Sequence, residues 1–330
     1  MAKRLDSLDS LRGIAACVVV LTHAVECAGY NAALIPSRGA AMLFFVLSGY
    51  VLTLPYIEGR PLSWRHFLIR RFCRLWPPLA VAVAATCLLY WLAQPRAPFI
   101  GDGWDRPMTA ELVLHCLLLS EANGGCGSFV PTLWSLIFEA RISAIFPILI
   151  PLILRWPVAV VGAAIILSLV PSAGAETAHF SLFFMMGILA AAYADRLAAA
   201  ARSAHPALVA TAGILSIVMH SDFANGFGAV ALIMVVRDYR RVAAAFSRPW
   251  LLWLGRISYS LYLFHISIVL FAYYALGGPL SLTPTILCIV VSGLAASAMY
   301  RLVEIPSIQL GRLWTTPNPA GRLPRPTGVA

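Results

Sequence analysis

The sequence predicts an all-α fold, a polytopic transmembrane helical bundle of about ten spans with both termini on the cytoplasmic side. Three observations carry that prediction. Of the 330 residues, 60% are hydrophobic and only 12% are charged, whereas a soluble domain carries about a quarter charged residues. Apolar stretches near the length that about 30 Å of hydrocarbon demands recur along the whole chain. The positive residues collect in alternate segments between those stretches. The composition excludes an ordinary soluble enzyme, which needs a polar surface over its core, and an intrinsically disordered chain.

The spans are expected near 10–28, 39–57, 76–94, 131–153, 156–171, 178–195, 206–220, 224–237, 258–276 and 283–303. The seventh and eighth are short and read either as a re-entrant pair or as slightly longer helices. Residues 110–120 are apolar but too short to cross, and read as interfacial. Pro36, Pro95, Pro98, Pro157, Pro171, Pro206 and Pro279 punctuate the joints, as loop signals do. The first run follows Lys3, Arg4, Asp6 and Asp9 but lacks a small-residue cleavage site. It therefore reads as a span and not as a cleavable signal. Residues 1–312 form one membrane domain in this reading. Residues 313–330, rich in Pro, Gly and Arg, read as a disordered cytoplasmic tail.

Charge orients the bundle. Nineteen of the 24 Lys and Arg residues fall in the two tails and in every second loop, and the opposite loops hold only Arg38, Arg96 and Arg106. By the positive-inside rule the first set marks the cytoplasm. The net charge of +10 thus reflects membrane topology and implies no nucleic acid partner. The long opposite loop, about 95–130, carries Asp102, Trp104, Asp105, Glu111 and Glu121. Trp104 and the acidic residues suit either a sugar contact or a purely structural loop. Cys116 and Cys126 share this loop and can form a disulfide if it faces an oxidising compartment. The seven cysteines show no metal-ligand spacing, and no metal site is expected.

Ionisable groups inside spans are functional candidates. Arg12 and His23 are eleven residues apart, within about 20° of one helix face and about 16 Å apart along the axis. Arg12 suits either an interfacial anchor or a catalytic role, and His23 either a packed core histidine or a base. Glu139 lies in a stripe with Ser135 and Ser143 at four-residue intervals, and suits either an ion pair with an arginine or chemistry. His265 lies about 13 Å beyond Arg256 along its helix, so that His23, Glu139 and His265 can meet near mid-membrane. It suits an interhelical hydrogen bond equally. Ser48, in Ser48-Gly49-Tyr50, falls at the same depth, although small-residue packing also explains it. Arg71 and Arg74 flank Phe72-Cys73 at the cytoplasmic mouth, where guanidinium groups hold lipid headgroups or another phosphate.

Together these motifs resemble the acyltransferase 3 family of integral membrane acyltransferases, from about residue 5 to 306. The likeness rests on Leu8-Asp9-Ser10-Leu11-Arg12-Gly13 with His23, and on Phe44-Phe45-Val46-Leu47-Ser48-Gly49-Tyr50. It continues through Arg71-x-x-Arg74 before Pro77, Leu133-Trp134-Ser135-Leu136 with Glu139 and Phe146-Pro147, and Ser258-Tyr259-Ser260-Leu261-Tyr262-Leu263-Phe264-His265. The resemblance implies transfer of an acyl group, often acetyl, from cytoplasmic acyl-CoA to a hydroxyl. The acceptor is a carbohydrate, a cell-envelope glycan or another small molecule, and the setting is a multi-pass protein of a bacterial inner membrane. It implies essential roles for Arg12 and His23 and involvement of Arg71 and Arg74. Many relatives read Ser-Val-Glu where this chain has Ile137-Phe138-Glu139, which leaves the role of the missing serine open.

On that basis His23 is expected to be the general base and Glu139 its orienting partner. Arg12, Arg71 and Arg74 would hold the phosphates of acyl-CoA, and Ser48, Trp134, Ser135 and His265 would contribute to substrate binding. No resident cofactor is implied, and acyl-CoA is a substrate. An acyl-enzyme on His23 or Ser48 and direct transfer both fit the sequence. A secondary transporter is the competing class, since it too buries His, Glu and Arg, but no inverted repeat is visible.

Overall fold

The computed structural model describes residues 2–95, 103–104, 107–120, 125–172, 174–202, 205–219 and 221–316. Among these residues all regular structure is helical. The principal helices are α1 (Ala2–Cys27), α2 (Ser37–Ile57), α3 (Trp64–Ala93), α6 (Leu133–Arg155), α8 (Ala175–Ala192), α13 (Pro249–Ala275) and α14 (Leu282–Met299). Between them lie α4 (Ala110–Leu118), α5 (Gly125–Phe129), α7 (Pro157–Leu169), α9 (Ala194–Arg202), α10 (Pro206–Val218), α11 (Asp222–Asp238) and α12 (Arg240–Phe246). The chain ends its described part in α15 (Ile305–Thr315), joined to α14 by a π-helical turn at Tyr300–Glu304.

Among the described residues, seven helical stretches are long and apolar enough to cross a bilayer. The other three expected spans are present as helices of 13, 13 and 17 residues, namely α7, α10 and α11. At 1.5 Å per residue a 13-residue helix reaches about 20 Å, short of the hydrocarbon core. Prolines set these limits: Pro157, Pro206 and Pro249 sit at the first turn of α7, α10 and α13, where a missing N–H costs nothing. Side-chain caps start others. Thr109 accepts from the Leu112 amide at 3.1 Å, and Ser221 from the Ala224 amide.

The outer helices turn leucine, isoleucine and valine outwards. Val158, Ile166 and Leu169 on α7, Leu208 and Leu215 on α10, and Ile286, Val290 and Leu294 on α14 are all exposed. Such faces demand a hydrocarbon solvent. The protein is a multi-pass membrane protein.

The innermost pairing is α1 against α13, the most extensive interhelical contact, followed by α2 against α8. Small residues permit the first. A Cβ on Gly13 would lie 2.5 Å from the Gly255 backbone nitrogen, a distance no packed carbon tolerates. The two backbones therefore touch at this crossing, and the crossing fixes the level at which Arg12 of α1 meets Ser258 of α13. Gly13→Ala is expected to force the helices apart at a cost of about 1–3 kcal/mol. Thermal unfolding in detergent should show a lowered midpoint, and an unchanged midpoint would contradict the crossing.

At the end of the bundle opposite Arg12, Arg38 grips Asp222 with two 2.6 Å bonds, and His179 approaches the same carboxylate at 3.0 Å. This ties the start of α2 and α8 to that of α11. Burial opposes charging Asp222, but the bonds from Arg38 and His179 outweigh it and hold the carboxyl below its ordinary range. Cys116 and Cys126 are buried free thiols, and Cys126 Sγ donates to the Ser120 carbonyl at 3.6 Å. Trp104 is buried as well, donating to the Phe129 carbonyl at 3.1 Å and stacking on Tyr274. It anchors the loop against α13 and offers no face to a sugar. Arg96, Asp102, Asp105, Arg106 and Glu121 lie outside the described residues. So does most of the expected tail, 317–330, although α15 carries helix three residues into it, to Thr315.

Candidate active site

A cleft opens among α1, α2, α3, α6 and α13. Its polar lining comes from Asp9, Arg12, Ser48, Arg71, Arg74, Ser135, Glu139, Ser258, Tyr259 and Tyr262, and its apolar lining chiefly from α2. The sequence motifs therefore do converge, in three levels along α13.

The outermost level holds the arginines. Arg12 Nε donates to Ser258 Oγ at 3.0 Å, and its guanidinium pairs with Asp9 at 2.9 Å. Arg74 lines the same mouth with no hydrogen-bond partner among the described residues. Glu304 lies nearby on the π-helical turn, 3% exposed, and accepts a 2.9 Å bond from Ser260. Its field reaches both Arg74 and Arg12.

The middle level is an ion pair. Arg71 donates to Glu139 Oε1 and, through Nε, to Ser143 Oγ at 3.1 Å. Ser48 Oγ reaches the same Glu139 oxygen at 3.5 Å. The polar stripe of α6 thus faces α3 and α13: Ser143 and Glu139 take Arg71 of α3, and one turn further Ser135 meets Tyr262 of α13 at 2.8 Å. Tyr262 and Phe44 pack edge-on, ring centroids 5.6 Å apart, and with Ser135 they floor the cleft.

The innermost level lies beyond that floor. His23 Nδ1 and His265 Nε2 are 2.9 Å apart, and His265 Nδ1 is 2.9 Å from the Leu261 carbonyl. His265 is fully buried and Tyr262 is its neighbour, centroids 6.2 Å apart.

Several expectations change in this geometry. His23 and His265 meet as the spacing required, but Glu139 does not join them. It lies one level nearer the arginines and is drawn to Arg71, the full positive charge within its reach, and not to a neutral ring. Glu139 is therefore not the orienting partner of His23 in this structure. Arg71 is 8% exposed and committed to that pair, which leaves Arg74 and Arg12 facing the cleft mouth. Trp134, His23 and His265 do not line the cleft. Trp134 packs with Phe45 and Phe180. No set of three His, Cys, Asp or Glu side chains converges as a metal site among the described residues.

The model of a family described as an acyltransferase domain, acyltransferase 3, matches residues 5–301. The chain belongs to the acyltransferase 3 family. A curated protein of Rhizobium radiobacter described as protein 2 in picA locus is 33% identical over 159 residues, covering 44% of this chain and 81% of the relative. No solved structure matches the chain. Family membership makes the protein a membrane acyltransferase and separates it from the transporter reading. Apart from Glu304, every residue of the three levels falls inside the matched acyltransferase 3 segment.

Sequence reasoning passed over Ser258 and Tyr262 as site residues, although they precede His265 by seven and three positions and so share its helix face. Glu304 gave a weaker signal, a lone carboxylate at the end of an apolar run. The π-helical turn that carries it is a common feature of functional sites.

Proposed function

We propose that the protein moves an acyl group, acetyl in the simplest case, from cytoplasmic acyl-CoA to a hydroxyl of a glycan or other small acceptor. The observation that supports this most is the arginine-mouthed cleft ending one residue layer from a histidine pair. The Arg12 end carries the tails and loops rich in Lys and Arg, so it faces the cytoplasm, where acyl-CoA is found. Arg74, unpaired, and Arg12, held by Ser258 and Asp9, bind the donor's phosphates. The inner part, with apolar side chains of α2 along one wall, takes the pantetheine arm and delivers the thioester to the Tyr262 floor. With the Tyr262 side chain turned aside, His23 Nε2 removes the acceptor's hydroxyl proton as the oxygen attacks the thioester carbonyl. The carbon–sulfur bond breaks, and the proton passes to the departing CoA thiolate. An acceptor entering from the His23 side suits modification of the cell envelope at a bacterial inner membrane.

The direct test is release of free CoA thiol from acetyl-CoA by purified protein in detergent, with candidate sugars as acceptors. Mass spectrometry of glycans from a deletion strain, searching for a lost acetyl mass, identifies the acceptor. Absence of thiol release with every acyl-CoA and acceptor tried would overturn the reading. Within it, Arg74→Ala is expected to raise KM for acyl-CoA by about tenfold to a hundredfold. That is the worth of a lost charge-assisted bond of about 1.5–3 kcal/mol. Arg74→Lys should recover only part, since an ammonium lacks the bidentate fork. An unaltered KM in Arg74→Ala would remove Arg74 from the donor site.

A further inference from the structure

We propose that His265 is a positioning residue that holds His23 in one tautomer and thereby presents His23 Nε2 as the base. The proposal rests on the reading of His23 as general base and assigns the partner that the Glu139 geometry leaves vacant.

The argument is one of donors and acceptors. His265 Nδ1 faces the carbonyl oxygen of Leu261 at 2.9 Å. A carbonyl only accepts, so Nδ1 carries the hydrogen. This carbonyl, one turn back on the same helix, has a second lone pair for the purpose. In a neutral imidazole the other nitrogen then bears a lone pair. His265 Nε2 is therefore an acceptor, and the nitrogen that faces it at 2.9 Å, His23 Nδ1, is a donor. It follows that His23 is protonated on Nδ1 and has its lone pair on Nε2. That nitrogen has no hydrogen-bond partner among the described residues, and His23 as a residue is partly buried, unlike the fully buried His265. The ring centroids are 5.1 Å apart and the planes 19° apart, which lays the N–H···N axis close to both ring planes, as a strong bond needs.

This arrangement performs what the carboxylate of a catalytic triad performs, fixing tautomer and ring orientation, without placing a charge in the membrane interior. A carboxylate at this depth would carry a desolvation penalty. A second imidazole, itself fixed by the backbone, specifies the same tautomer while staying uncharged. When His23 accepts the acceptor's proton, its Nδ1–H still points at a lone pair, so the charged ring keeps a partner. The proton then leaves from Nε2 to the CoA thiolate, and neither histidine is altered over the cycle.

The test is nitrogen NMR of ¹⁵N-histidine-labelled protein in nanodiscs, with His23 assigned by loss of its signals in His23→Gln. Wild-type His23 is expected to show a protonated Nδ1 and an unprotonated Nε2. In His265→Ala the His23 population should move towards Nε2–H, the form free imidazole prefers in water. In His265→Gln, whose side-chain carbonyl supplies an acceptor, the wild-type pattern should largely return. Activity should follow: His265→Ala lowers kcat at least tenfold with little change in KM for acyl-CoA, because the donor cleft lies on the other side of Tyr262, and His265→Gln recovers part of kcat. A purely structural role for His265 predicts no tautomer change. If His23 keeps its Nδ1–H form in a folded His265→Ala protein, the proposal is overturned. If the tautomer moves but thiol release does not fall, the positioning geometry stands and the assignment of His23 as base is what fails.

Discussion

His23→Ala is expected to lower acceptor-dependent CoA release by about a hundredfold to ten-thousandfold, the range that a positioned general base contributes. The fold should survive the change. His23 packs beside His265 near the end of α1, and α1 is held to α13 at the Gly13–Gly255 crossing and by the Arg12–Ser258 bond well below it. Binding of acyl-CoA should survive also, since His23 does not line the cleft. Equilibrium binding of acetyl-CoA to His23→Ala is therefore the companion measurement. Loss of turnover with retained binding supports a chemical role. A variant with near-normal turnover would show that another group takes the proton, and Glu139, with Ser48 at 3.5 Å, is the next carboxylate to examine.

The second large effect concerns stability. Glu139→Ala leaves the Arg71 guanidinium, 8% exposed, without its counter-charge inside the bundle. Breaking a buried ion pair from one side costs about 3–5 kcal/mol, and Ser143 alone cannot restore it. Thermal unfolding in detergent should show Glu139→Ala among the least stable single variants of the site. The paired variant Arg71→Met/Glu139→Gln should recover much of that loss, because it removes both the charge and its partner. If the single and double variants unfold at the same temperature, Arg71 is not stranded by the loss of Glu139. The pair also links α3 to α6 across the cleft, so the single variant should bind acyl-CoA less tightly.

Much of this was legible in one sequence. The apolar runs lie where the helices are, because hydrocarbon and the helical rise together dictate their length. Arg12, His23 and His265 were readable as two faces turned towards one another, because spacing within a helix fixes rotation. Partners between helices were harder to read. Whether Glu139 meets a histidine or an arginine depends on the relative depth of α3, α6 and α13, and a difference of about one turn decides it. Trp104 suited a sugar contact or a structural loop equally in sequence, and its indole, which finds a carbonyl and a stacking partner inside, decides for the second. The shortness of α10 was readable from its apolar run, whereas that of α7 follows from Pro157 at its start and a helix end at Leu169 that composition averages away.

In the proposed reaction the Tyr262–Ser135–Phe44 floor keeps two compartments apart. An enzyme that draws one reactant from the cytoplasm and passes an acyl group towards the other side requires an opening into the bilayer from each face. Joined, those openings would make a water-filled channel and let protons run down the gradient that powers the cell. One hydrogen bond and one aromatic contact stand between the cleft and the histidine pair. In that reaction they would serve as a seal against protons, and a leak would be the first symptom of their loss.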